Sequence, residues 1–73
     1  MTNIQLTHAE MDVLDLLLEG KSNRAIAETL FLSIRTVESH ISKSLGKTGF
    51  NSRLQLSLWW MQQKKGREAD VRQ

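Results

Sequence analysis

The stretch that most constrains this chain runs from Ser22 to Lys47, SNRAIAETLFLSIRTVESHISKSLGK. It reads as a short helix, a turn of about three residues and a second helix. Ser22 and Ser33 stand where each helix should begin. A serine there can accept from a backbone N–H that the first helical turn leaves unpaired. Ile26, Ala27 and Leu30 form a narrow apolar stripe on the first helix, and Ala27 is small enough for another helix to cross closely. Phe31 and Leu32 are expected to point apolar surface into the turn. The buried set expected for the second helix is Ile34, Val37, Ile41, Leu45 and Thr48, because Val37, Ile41 and Leu45 recur every fourth residue. Its opposite face then holds Arg35, Ser39, Ser42 and Gly46, with Glu38 at one margin and Thr36, His40, Lys43 and Lys47 at the other. Small, polar and basic residues on a free helix face suit a helix laid in the major groove of DNA.

The flanking segments supply the rest of a core. Thr7 with Glu10 three residues later makes a capping-box pattern, and Leu6 and Met11 can close over it as a hydrophobic staple. Val13, Leu14 and Leu17 follow at helical spacing, while Asp12, Asp15 and Glu19 fall mostly on the solvated side. Gly20 and Gly49 are natural helix stops. Gly46 inside an exposed helix costs about 1 kcal/mol against alanine, so the third helix is expected to end between Leu45 and Thr48. Ser52 caps a fourth helix from Arg53 to about Gln63. That helix carries Leu56, Trp59 and Trp60 on one arc and Leu54, Leu58 and Met61 on another. One stripe joins it to the core; the other needs a partner or stays exposed. The expected fold is all-α: a four-helix domain with a central helix-turn-helix over residues 1–63, followed by a frayed polar tail over residues 64–73.

Seventy-three residues suffice for one small core, and no cysteine is present to staple it. No run approaches the roughly 18 apolar residues of a membrane span, and no basic region leads into an apolar run. The chain is therefore expected in the cytoplasm. Charge is unevenly spread. Residues 1–20 hold Glu10, Asp12, Asp15 and Glu19 with no Lys or Arg, whereas Lys21, Arg24, Arg35, Lys43, Lys47, Arg53, Lys64 and Lys65 follow. Alone this describes a solvated surface; beside an exposed recognition face it favours a polyanion on one side. Catalysis finds little support. There is no HExxH pair, phosphate-cradling glycine loop or CxxC. His8 and His40 fall on different helices, and Glu38 and His40, two apart, do not face each other. The carboxylates of the first helix read as surface groups, and four short helices promise no hollow of about 300 Å³. No catalytic residue, metal site or cofactor is expected.

Three groups of residues together resemble the LuxR/GerE-type DNA-binding domain. The first is Leu6-Thr7-x-x-Glu10-x-x-Val13-Leu14. The second is Gly20-x-Ser22-Asn23-Arg24-x-Ile26-Ala27-x-x-Leu30-x-Leu32-Ser33-x-x-Thr36-Val37-x-x-His40. The third is Gly49 with Ser52-Arg53, and the resemblance covers about Leu6 to Met61. It implies a four-helix domain of bacterial transcription regulators. In that family the second and third helices read DNA, the fourth commonly mediates dimerisation, and a receiver or ligand-binding domain usually precedes. The implied partners are double-stranded DNA, a second copy of the chain and RNA polymerase, without a membrane. Three departures stand out. Ala9 replaces the family's usual Arg, Glu38 its usual Lys or Arg, and Lys43-Ser44-Leu45-Gly46-Lys47-Thr48 its Asn-Ile-x-x-Lys-Leu, where Lys47 alone matches well.

Geometry on the third helix assigns base reading to Arg35, Glu38, Ser39 and Ser42. A carboxylate at Glu38 repels phosphate but can accept from cytosine N4. Phosphate contact is assigned to Ser22, Asn23, Thr36, His40, Lys43, Lys47 and Arg53, and dimer contact to Leu54, Leu58 and Met61. The alternative is a helical protein-interaction module of the same fold whose Glu38 face no longer binds DNA. A sigma-factor helix-turn-helix shares the motif, but Gly20-x-Ser22-Asn23 and Ser52-Arg53 argue against it.

Overall fold

A computed structural model describes residues 4–71, with side chains through Gly66. Four helices follow one another: α1 (His8–Leu18), α2 (Asn23–Leu30), α3 (Ile34–Thr48) and α4 (Arg53–Val71). No strand occurs among the described residues. Each helix begins at a hydroxyl cap. Thr7 Oγ1 accepts from Glu10 N (3.1 Å), and Glu10 Oε1 accepts in return from Thr7 N (2.9 Å). Ser22, Ser33 and Ser52 accept from Ala25, Thr36 and Gln55, each at 3.1 Å. A cap of this kind stabilises by about 1 kcal/mol, so four of them matter to so small a domain.

The helix ends are equally local. Gly20 turns left-handed at φ 81°, letting Gly20 N reach Leu17 O and Lys21 N reach Leu16 O. Gly49 does the same after α3, its N–H reaching Leu45 O. α2 ends differently. Phe31 takes the left-handed position at φ 58° and is 93% exposed. Its side chain therefore does not fill the turn, as the apolar pattern suggested. The left-handed backbone swings Phe31 outward, and Leu32, whose N–H returns to Ala27 O, packs against the core instead.

The core is one cluster drawn from all four helices: Val13, Leu14 and Leu17; Ile26 and Ala27; Val37 and Ile41; Leu56 and Trp60. α1 and α3 each touch the other three helices. The buried side of α3 differs from the expected stripe. Val37, Ile41 and Ser44 are buried, Leu45 and Thr48 are half-buried, and Ile34 is exposed. At about 100° per residue, repeated steps of four drift round the helix, whereas a step of seven nearly returns. Ser44 thus stays beneath Val37, and Leu45 rotates to the edge. Ser44 can be buried because its hydroxyl donates to His40 O (2.8 Å).

Two further expectations change. Glu10 is not a surface carboxylate but only 2% exposed, and Asp15 is half-buried. Asp15 Oδ1 accepts from Trp60 Nε1 and from Lys64 Nζ, both at 2.8 Å, and so fastens α4 across α1. α4 does not fray after Gln63. It continues to Val71, and Lys64 on this added length is fastened to Asp15. Residues 72 and 73 of the expected tail lie outside the described residues.

Candidate nucleic-acid interface

The free face of α3 is formed as the residue pattern suggested. Arg35, Glu38, Ser39 and Ser42, the four assigned base readers, are all exposed, as is Gly46. Nothing lies within 4 Å of where a Gly46 side chain would begin, so the backbone there is bare. Arg35 is a long cation and Glu38 an acceptor, while Ser39 and Ser42 are short groups that donate and accept. Such a surface can present hydrogen bonds to an edge-on base or a phosphate while leaving the helix backbone close to its ligand. Its apolar member, Ile34, lies at the start of the helix.

The residues assigned to phosphate divide by what else they hold. Lys43 is exposed and takes part in no ion pair among the described residues. Lys47 is committed elsewhere: its Nζ donates to Glu10 Oε1 at 2.7 Å, joining the end of α3 to the start of α1. Burial raises the Glu10 carboxyl, but hydrogen bonds from Lys47 and Thr7 outweigh it and hold the group below its ordinary value. Asp15 behaves likewise: burial raises it, and Lys64 and Trp60 bring it lower. Neither pairing was visible along the chain. The clue lay in Glu10 closing a capping box, which turns its carboxylate back toward the backbone and away from water.

Arg53 is also engaged. Its Nη1 donates to Asn23 Oδ1 (2.7 Å) and its Nη2 to Lys21 O (3.2 Å), so it ties the start of α4 to the start of α2. Because Asn23 spends its oxygen on Arg53, its amide N–H groups remain to donate outward. Ser22 uses its hydroxyl as the α2 cap. Thr36 pairs its hydroxyl with that of Ser33 at 2.9 Å. His40 is half-buried, and its Nδ1 is enclosed without a partner. The structure thus exposes Arg35, Glu38, Ser39, Ser42 and Lys43 on α3, while Asn23 is half-buried at the start of α2.

The α4 side is separate. Leu54, Leu58 and Met61 are 67%, 50% and 39% exposed, whereas Leu56 and Trp60 are buried and Trp59 half-buried. A hollow of about 330 Å³, larger than expected, lies between the N-terminal segment, α1 and α4. Ile4, Gln5, Leu6, Met11, Trp59, Trp60 and Gln63 line it. None of these residues titrates, so the hollow offers no acid, base or nucleophile. No cluster fit for a metal ion, and no helix long and apolar enough to cross a membrane, occurs among the described residues.

A family model described as bacterial regulatory proteins, luxR family, matches residues 4–60. Over 54 residues the chain is 41% identical to the transcriptional regulatory protein LiaR of Bacillus subtilis, covering 74% of the chain and 26% of that protein. It is 46% identical over 50 residues to the transcriptional regulatory protein DegU of Brevibacillus brevis, covering 68% and 21%. It is 37% identical over 62 residues to the DNA-binding transcriptional activator DevR/DosR of Mycobacterium tuberculosis, covering 85% and 29%. The chain therefore spans about a quarter of the length of these relatives.

Proposed function

The chain belongs to the luxR family of bacterial regulatory proteins, and from that premise we propose that it binds double-stranded DNA sequence-specifically in transcription regulation. α3 enters the major groove. The observation that carries this reading is the open face of α3, where Arg35, Glu38, Ser39 and Ser42 are exposed together above a closed apolar core. Lys43 supplies charge to one wall of the groove, and Asn23 at the α2 N-terminus supplies neutral donors to the backbone. Glu38 sets the sequence choice by accepting from cytosine and repelling misplaced phosphate.

The same reading makes the domain a weak dimer through α4. Leu54, Leu58 and Met61 are too few to hold two copies firmly, but a two-fold axis brings such a stripe against itself. Two recognition helices then stand about one DNA turn, near 34 Å, apart. Selection of bound duplexes from a random pool tests both parts. Paired half-sites spaced by about one turn are expected; a single ungapped half-site removes the dimer. A pool with no enrichment removes the DNA reading and favours the protein-interaction module.

A further inference from the structure

His40 stands on the margin of α3 that also carries Thr36, Lys43 and Lys47. Two of these four are occupied within the domain, Thr36 by Ser33 and Lys47 by Glu10. That leaves Lys43 and His40. The Nδ1 of His40 is the one enclosed side-chain nitrogen or oxygen without a hydrogen-bond partner among the described residues, and its Nε2 is not enclosed in this way. The two nitrogens of a neutral imidazole are unlike, one donating and one accepting. Keeping the proton off the enclosed nitrogen spares the site a dry N–H with nothing to donate to. The least costly ring has a bare lone pair at Nδ1 and its proton on Nε2.

We infer that His40 is a directional donor, through Nε2–H, to a phosphate oxygen of the DNA backbone. This rests on the DNA-binding reading above. It separates His40 from Lys43 in kind. A lysine at a phosphate releases a condensed counterion, so it raises both affinity and salt dependence. A neutral donor adds a hydrogen bond and releases no cation. His40 is therefore a positioning residue, fixing where α3 sits along the backbone after charge has brought the two together.

The test has two parts, both on the whole chain. Nitrogen-resolved NMR of the free protein reads the ring directly; the Nε2–H tautomer is expected. Affinity for one selected duplex is then measured across a salt series at about pH 8, where an ordinary imidazole is neutral. Glutamine places an amide N–H near the Nε2 position and asparagine near Nδ1. His40→Gln is expected to bind within about twofold of the unaltered chain, and His40→Asn to bind roughly 3- to 10-fold more weakly. Both should keep the unaltered salt slope, whereas Lys43→Ala should reduce it by about 0.9 per bound copy. An Nδ1–H tautomer, equal loss in both His40 variants, or a salt slope changed by them overturns the inference while DNA binding stands. If the unaltered chain retains no duplex at any salt, the DNA reading itself falls and takes this inference with it.

Discussion

Lys43 and Lys47 stand one turn apart on α3 and differ in function. Lys47 neutralises a carboxylate buried to 2% exposure, so Lys47→Ala should destabilise the domain by about 2 kcal/mol, read by urea unfolding. Lys43→Ala should stay within about 0.5 kcal/mol of the unaltered stability and act on DNA affinity instead. The reverse pattern would exchange their roles. Acid behaviour follows from the same pair. Glu10 and Asp15 have folded pKa values below their unfolded ones, so they contribute stability above about pH 4 that is lost as pH falls through the folded values. Stability should be nearly level between about pH 7 and 5 and fall below about pH 4. Glu10→Gln should flatten that acid limb; an unchanged limb would show that other groups govern it. Glu38→Lys should raise affinity for all duplexes and change the preferred bases, and a selected site with unchanged preference would remove Glu38 from base reading.

Among the elements, the helix starts are the most legible in the chain. Thr7, Ser22, Ser33 and Ser52 all cap as their spacing suggested, because capping is settled within four residues. The outward stripe of α4 was legible for a similar reason, since two apolar arcs cannot both face one core. Contacts across the domain were not. The Glu10–Lys47 and Asp15–Lys64 pairs join residues 37 and 49 positions apart, and nothing local announces them. The length of α4 is hidden on that account, because its contact with Asp15 on α1 falls in a segment that composition alone leaves polar and frayed. The position of Phe31 is hidden for a backbone reason: a bulky residue at positive φ is strained, so composition favours another reading. Phe31→Gly should relieve the strain and stabilise the domain by roughly 0.5–1 kcal/mol, provided the exposed ring supports nothing. Leu58→Glu should spare the free fold, its site being half exposed, and abolish paired occupancy of a palindromic site by setting like charges across the two-fold axis. Unfolding of the free domain would mean that the stripe belongs to the core.

At the scale of the whole molecule, the domain separates holding from reading. The inner surfaces of all four helices close one core, and buried or half-buried pairs lock α1 to α3 and α4. Arg53 locks α4 to α2. The α3 face is left exposed, and a small apolar stripe lies exposed on α4. The measurement that bears most directly on this account is the retention of duplex DNA by the intact chain across a salt series. A straight fall of log affinity against log salt is expected, with a slope that drops by about 0.9 per bound copy in Lys43→Ala. No retention of duplex even at low salt, or retention indifferent to salt, would contradict it.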